Sequence, residues 1–207
     1  LTHSLPDWLA ERLAGEYGRE ASALCTALNQ RAPLTVRVNL SRATREEVAE
    51  RLARRGLASS PTPWARAGLV FVQNVNVVGL DEYREGLIEL QDEGSQILSE
   101  WVAVLGAGPP GRDVSLVIDF CAGAGGKTLA LAAALGPGVQ VLATDVDRRK
   151  LAELKKRAER AGLANVRVVQ LDEDGWSSQL DVLRRRARVV FVDAPCTGLG
   201  ALRREPH

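Results

Sequence analysis

The spacing of apolar positions changes character twice along the chain. From Pro6 to about Asn29 the spacing is helical and is interrupted around Gly15 and Gly18, which predicts two short helices. Pro33 then opens an alternating run, Leu34, Val36, Val38 and Leu40, the pattern of a strand with one buried face. Thr44 with Glu47 three residues later predicts a capping box, starting a helix that runs to about Arg55 and stops at Gly56. Pro61 and Pro63 predict a loop, and Leu69 to Val78 a second β-rich stretch. Strand, helix and strand in so short a span predict a small α+β module, placed at residues 1–90.

From Gln91 to Leu105 the pattern predicts an amphipathic helix carrying Ile97, Leu98, Trp101, Val102 and Leu105, followed by a Gly/Pro-rich linker at Gly106–Gly111. Beyond it the apolar runs shorten and alternate with helical spacing. Strands are predicted at Leu116–Phe120, Val139–Ala143, Val166–Leu171 and Arg188–Val192, and helices at Thr128–Leu135 and Arg148–Ala161. Buried strands alternating with helices predict an α/β domain at residues 91–207, a parallel sheet with helices on both faces. The fourth strand runs into a loop near the last residue, where an open sheet would leave a bare edge, so the domain is expected to be incomplete. The sequence contains no methionine and begins with Leu1, and trimming at both ends is expected.

Composition narrows the class without deciding it. The chain is 45% hydrophobic and 26% charged, ordinary for a soluble globular protein. It has no apolar run near the roughly eighteen residues a membrane helix needs, and no signal-peptide layout. Cys25, Cys121 and Cys196 lie far apart without a CxxC or a histidine cluster, which argues against zinc and a disulfide framework and favours a reducing cytoplasm. The expectation is a cytoplasmic protein with no metal and no membrane contact. The net charge of +1 does not by itself point to nucleic acid. Basic clusters at Arg148–Lys150, Lys155–Arg157, Arg184–Arg186 with Arg188, and Arg203-Arg204 read first as solvated helix faces.

Two loops carry candidate chemistry. The first, Asp119 to Thr128 (DFCAGAGGKT), turns a strand into a helix with small residues that let backbone amides approach a ligand. A P-loop fits Gly126-Lys127-Thr128, but Cys121 stands where its first glycine belongs. A dinucleotide fingerprint fits Gly123 and Gly125 and then fails at Thr128. S-adenosylmethionine, which has no phosphates, is the third option. Asp145 supports it: twenty-two residues beyond Gly123 at a strand end, its carboxylate can accept both ribose hydroxyls, with a cap on the next helix as the lesser alternative. Asp172 is placed to reach the adenine end, with Glu173 and Asp174 as substitutes.

The second loop, Asp193-Ala194-Pro195-Cys196-Thr197-Gly198-Leu199-Gly200, follows the fourth strand at the carboxyl edge of the sheet. Carbon-5 of a pyrimidine is a poor nucleophile. A thiolate that adds to carbon-6 makes carbon-5 enamine-like, so it can attack a sulfonium methyl group; a base then takes the carbon-5 proton and the thiol is eliminated. Chemistry alone nominates Cys196 as that thiol, with a buried structural cysteine as the alternative.

DFCAGAGGKT, ATDVDRRKL, VVQLD and DAPCTGLGALRREP, with QDEGSQ upstream, resemble the bacterial RsmB/Fmu and eukaryotic Nop2/Sun-like RNA cytosine-5 methyltransferases, from about Leu34 to His207. The resemblance implies a class I (Rossmann-like) methyltransferase sheet behind a small RNA-recruiting module. It implies that Cys121, Ala122, Gly123, Ala124, Gly125, Gly126 and Lys127 line the methionine and ribose parts of S-adenosyl-L-methionine. Asp145 would hold the ribose, Asp172 the adenine region, and Asp193 the cofactor or target-base side. Cys196 matches the family's cysteine for product release, whereas the attacking cysteine belongs to a later Thr-Cys segment that these residues do not contain. The fragment alone is therefore expected to be inactive. The family commonly has Ala-Pro where this chain has Gly123-Ala124. The implied substrate is rRNA or tRNA, bound by a monomer, with the target nucleotide unstacked and the basic clusters on phosphates. The rival readings are a methyltransferase for another base or for protein, a noncatalytic RNA-binding or assembly factor with a vestigial pocket, and last a nucleotide hydrolase.

Overall fold

The computed structural model describes residues 5–108 and 115–196. The linker from Pro109, the residues Thr197–Gly200 and the pair Arg203-Arg204 lie outside them. The described residues form two compact units, one holding residues 5–33 with Pro195 and Cys196, the other the described residues between Leu34 and Ala194.

In the first unit, α1 (Asp7–Tyr17) and α2 (Ala21–Leu28) are joined by a short 3-10 turn at Gly18–Glu20. The helix runs through Gly15 and breaks only at Gly18, whose φ of 51° combined with ψ of −118° no other residue type takes cheaply. Leu5, Leu9 and Cys25 form its small core.

The second unit begins with β1 (Thr35–Val38), α3 (Arg45–Arg54), β2 (Ser59–Pro61), β3 (Gly68–Phe71), α4 (Asp81–Arg84) and β4 (Ile88–Leu90). The strands form an antiparallel sheet in the order β2-β3-β1-β4. Thr44 and Glu47 make the expected capping box. Val36, Val38, Leu69 and Ile88 face Val48 and Leu52 of α3 in one core. Three strands depart from expectation, β4 being unanticipated. Pro61 sits in edge strand β2, where its missing N–H leaves no ladder bond unmade. The stretch Leu69–Val78 stops being a strand after Phe71 and turns into a 3-10 segment at Val77–Gly79.

Next comes α5 (Glu93–Ala107), capped by Asp92, which accepts from the Ser95 amide at 2.9 Å. The helix passes through Gly106 instead of ending there. A Cβ at Gly106 would lie 2.7 Å from Val117 Cγ2, so the glycine permits close approach to the strand below. Its buried face is Gln96, Ser99, Val102, Ala103 and Gly106, while Leu98, Trp101 and Leu105 are exposed. Polar Gln96 is buried because its amide donates to the Val36 and Gln91 carbonyls.

The remaining elements are β5 (Ser115–Asp119), α6 (Gly126–Leu135), β6 (Val139–Asp145), α7 (Arg148–Ala161), β7 (Val166–Gln170) and β8 (Ala187–Phe191). They form a parallel sheet in the order β7-β6-β5-β8. The crossovers from β5 to β7 step in one direction, and right-handed crossovers of one direction put their helices on one face. Accordingly Val117, Val141 and Ala143 pack against α5, α6 and α7. The chain reverses direction between β7 and β8, and that connection, with Leu180 and Leu183, covers Leu116, Ile118 and Leu142 on the opposite face. The expected helices on both faces are thus corrected among the described residues: helices cover one face and a 3-10 segment, Ser178–Leu183, the other. No described helix is long and apolar enough to cross a membrane.

Candidate functional site

The reversal of strand order between β5 and β8 creates a topological switch point, where open parallel sheets bind ligands at the carboxyl ends of their strands. The loop that leaves β5 here is held by the neighbouring strands. Phe120 N–H donates to Phe191 O at 2.8 Å and Ala122 N–H to Thr144 O at 2.9 Å. Gly125 then caps α6 with φ +88°, and a Cβ on it would lie 2.4 Å from Leu154 Cγ, so the loop rests against α7. A Cβ on Gly123 or Gly126 would meet nothing within 4 Å. The outer side of the loop is therefore open space, faced by the free amides of a helix N-terminus.

Acidic groups dominate this cleft. Asp145, at the end of β6, accepts from Gly123 N–H at 2.8 Å through Oδ2 and from Asp147 N–H at 2.9 Å through Oδ1. Capping of α7 belongs to Asp147, which accepts from Arg149 and Lys150 amides, so Asp145 is not needed for it. Lys127 Nζ meets Asp193 Oδ2 at 2.7 Å, with the lysine mostly covered and the aspartate half exposed. Asp119, which the sequence reading passed over, is almost fully buried at the end of β5. Thr128 Oγ1 donates to its Oδ2 at 2.7 Å, and its Oδ1 has no partner among the described residues. Burial pushes its carboxyl up to about 6; the Thr128 hydroxyl and Lys127 oppose this, and the charges of Asp193 and Asp145 reinforce it.

The cysteines are sorted by environment. Burial, then Asp145, Asp119 and Asp193, raises the Cys121 thiol above its ordinary value and keeps it protonated, unsuited to nucleophilic attack. Cys25 is buried between α1 and α2. Cys196 is exposed, three residues beyond Asp193. Asp172 follows β7 and is tied into a turn, its Oδ1 accepting from Trp176 N–H at 2.7 Å. The structure thus brings Cys121 to Lys127, Asp145 and Asp193 together at the switch point and adds Asp119 and Thr128. Those two were legible as a β-strand terminus facing a threonine on the first helical turn. No group of three His, Cys, Asp or Glu side chains suited to a metal occurs among the described residues.

Among the described residues, three carboxylates stand against one lysine, itself already paired, and an Arg157 guanidinium neutralised by Glu89, which favours a ligand with positive charge and disfavours a polyphosphate. The open space above Gly123 and Gly126, the close-packed Gly125 and the orphaned Asp119 oxygen fit a nucleoside bearing a cationic side chain.

Residues 109–207 match the family described as 16S rRNA methyltransferase RsmB/F, and residues 5–78 match the ferredoxin-like domain described as Methyltr_RsmF/B-like. Ribosomal RNA small subunit methyltransferase B of Pseudomonas putida is 28% identical over 201 residues, covering 97% of this chain and 44% of that protein. The probable ribosomal RNA small subunit methyltransferase B of Synechocystis sp. is 31% identical over 209 residues, covering 99% of this chain and 44% of that protein. The crystal structure of PH0851 superimposes with a TM-score of 0.86 at 28% identity, over 99% of this chain and 44% of that one. The chain thus spans less than half the length of each of these relatives. With its two segments matched by domains of one family and its parallel sheet superimposing on a solved relative, the chain belongs to the RsmB/F methyltransferase family.

Proposed function

We propose that this chain forms the cofactor-binding part of an enzyme that transfers a methyl group from S-adenosyl-L-methionine to carbon-5 of cytosine in RNA, ribosomal RNA foremost. The observation that carries the cofactor is the excess of carboxylates at the switch point: among the described residues, Asp119, Asp145 and Asp193 face a single lysine that Asp193 already occupies. A sulfonium and an ammonium are welcome there, and the phosphates of ATP are not. The bound cofactor would supply an electrophilic methyl group.

The chain's own residues would bind and orient. Asp145 holds the loop through Gly123 and keeps a lone pair on each oxygen for the ribose hydroxyls; Asp172 closes the adenine end. Lys127 holds Asp193 at the edge where the target base enters. Family membership supports a ribosomal RNA substrate, because the relatives are named for it. The resemblance supports carbon-5, with Cys196 assisting product release and the attacking thiol outside these residues. The 207 residues alone are therefore proposed to bind the cofactor without turning over.

Calorimetric titration of the chain with S-adenosylmethionine, with ATP as control, tests the first part. Binding of S-adenosylmethionine alone supports the reading, while binding of ATP alone, or of neither, refutes it. Nucleoside analysis of ribosomal RNA methylated by a longer protein containing this sequence tests the second. A methyl group found on a ring nitrogen or a ribose would rule out carbon-5.

A further inference from the structure

The basic cluster Lys155–Arg157 is only partly a solvated face. Arg157 is nearly covered, with a side chain 13% exposed, and its guanidinium is divided between two parts of the molecule. Nε and Nη2 donate to Glu89 Oε2 at 3.2 and 2.8 Å, and Nη1 donates to the Ala124 carbonyl at 2.6 Å. Glu89 lies at the centre of β4 in the antiparallel sheet, whereas Ala124 lies in the loop of the proposed cofactor site. One side chain therefore spans from the N-terminal sheet to the glycine-rich loop.

Both ends of the Ala124–Gly125 peptide are fixed as a result. Its carbonyl accepts from Arg157, and its N–H donates to Ala122 O at 2.9 Å. Leu154, one turn before Arg157 on the same face of α7, fills the space that leaves Gly125 no room for a Cβ. This peptide sets the direction in which the next amides, at the start of α6, project. Glu89 in turn fixes the guanidinium, because engaging Nε and Nη2 on one carboxylate oxygen leaves Nη1 aimed at the loop.

Glu89 is itself rigidly seated. Its other oxygen accepts from Arg160 Nη2, whose guanidinium carbon stands 3.9 Å over the Tyr83 ring. Around this point the sheet grips the end of α7: Asn39 Nδ2 donates to Ala161 O at 3.0 Å and Arg42 Nη1 to Arg160 O at 3.1 Å. Gly86 comes so close that a Cβ there would lie 2.2 Å from Arg160 O.

We propose that Arg157 is a positioning residue for the cofactor loop and that Glu89 acts through it, so that the Glu89–Arg157 contact, and not the rest of the sheet's grip on α7, sets the affinity for the cofactor. The inference rests on the cofactor reading of the loop. A displacement of β4 at Glu89 is felt at Ala124 through a single guanidinium.

The test is calorimetric titration of the chain with S-adenosylmethionine, for the wild type, Arg157→Met, Glu89→Gln and the double variant. Arg157→Met leaves Glu89 paired with Arg160, and Arg157→Lys, which keeps the charge but not the fork, serves if the methionine variant does not fold. Arg42→Met is the control, since it loosens the seat without touching Glu89 or the loop. Amide exchange at Gly123–Gly126 without ligand, and the melting temperature, are read in parallel. Loss of the charge-assisted bond to Ala124 is expected to weaken binding about tenfold in Arg157→Met or Arg157→Lys. Glu89→Gln should weaken it in the same direction, and the double variant no further than Arg157→Met. Exchange in the loop should quicken in all of these, while Arg42→Met lowers the melting temperature and keeps its affinity. Folded Arg157→Met with wild-type affinity and exchange overturns the inference, as do additive losses or an equal loss in Arg42→Met. A wild type that binds no S-adenosylmethionine overturns the cofactor reading instead, and loop exchange then decides the inference by itself.

Discussion

Asp119 offers a quantitative test of how the site is charged. Its side chain is buried at the end of β5 and its carboxyl is pushed up to about 6, chiefly by loss of water and further by Asp193 and Asp145. Between the ordinary value of 3.8 and about 6, the folded protein holds a proton that the unfolded chain has released. The unfolded state binds fewer protons in this window, so the contribution of Asp119 to stability falls as pH rises through it and is constant above. A displacement of roughly two pH units corresponds to about 3 kcal/mol of destabilisation near neutral pH. Asp119→Asn keeps an oxygen for the Thr128 hydroxyl but cannot ionise. Urea unfolding of wild type and variant at intervals from pH 4 to 8 isolates the effect, because other carboxylates cancel in the difference. Wild-type stability minus variant stability should fall by up to about 3 kcal/mol between pH 4 and 7. A difference that stays flat within about 0.5 kcal/mol means that Asp119 ionises as freely folded as unfolded, and the electrostatic account of the cleft is then wrong.

Three other substitutions probe separate links. Gly125→Ala forces a side chain into left-handed backbone and against Leu154, so it should cost about 2 kcal/mol or more in thermal or urea unfolding and reduce cofactor binding; a neutral result means that the loop turns differently. Asp145→Ala removes the carboxylate that holds the Gly123 and Asp147 amides, and calorimetry should show binding of S-adenosylmethionine weakened by on the order of 1–3 kcal/mol. Unchanged affinity would place the ribose elsewhere. Thr44→Ala breaks the capping box of α3 at an exposed position far from the cleft, and should lower stability by about 1 kcal/mol while leaving cofactor affinity unchanged.

The parallel sheet was legible because its strands are short, mainly apolar runs that alternate with stretches of helical spacing. Asp147 and Gly162 bracket α7 within a residue of the predicted limits. The antiparallel sheet was harder to read. β2 contains a proline, which signals a loop anywhere except on an edge, and β4 has three residues with a glutamate in the middle. Period-two alternation cannot be seen over three positions. In α5 the hydrophobic stripe pointed the wrong way, since Trp101 and Leu105 are exposed while Gln96 and Ser99 are buried. A polar residue reads as solvent-facing unless its partner is known. Of the two carbonyls that accept from Gln96, that of Val36 is sixty positions away.

The same limit explains which site residues could be read. Asp145, Lys127 and Asp193 are polar residues at strand ends or helix starts, where local pattern already marks them out. Arg157 and Glu89 were hidden because each looks like an ordinary charge on a solvated face, and only the packing of one sheet against α7 removes the water. Two arginines and a glutamate that would contribute little on a surface become, once covered, the fixed link between the sheet and the loop. A buried carboxylate with two guanidiniums tolerates loss of one partner far better than loss of both, so Arg160 protects the fold while Arg157 is free to act on Ala124. The division of labour between two arginines three residues apart follows from helical geometry: both reach Glu89, and only the earlier one also reaches the loop.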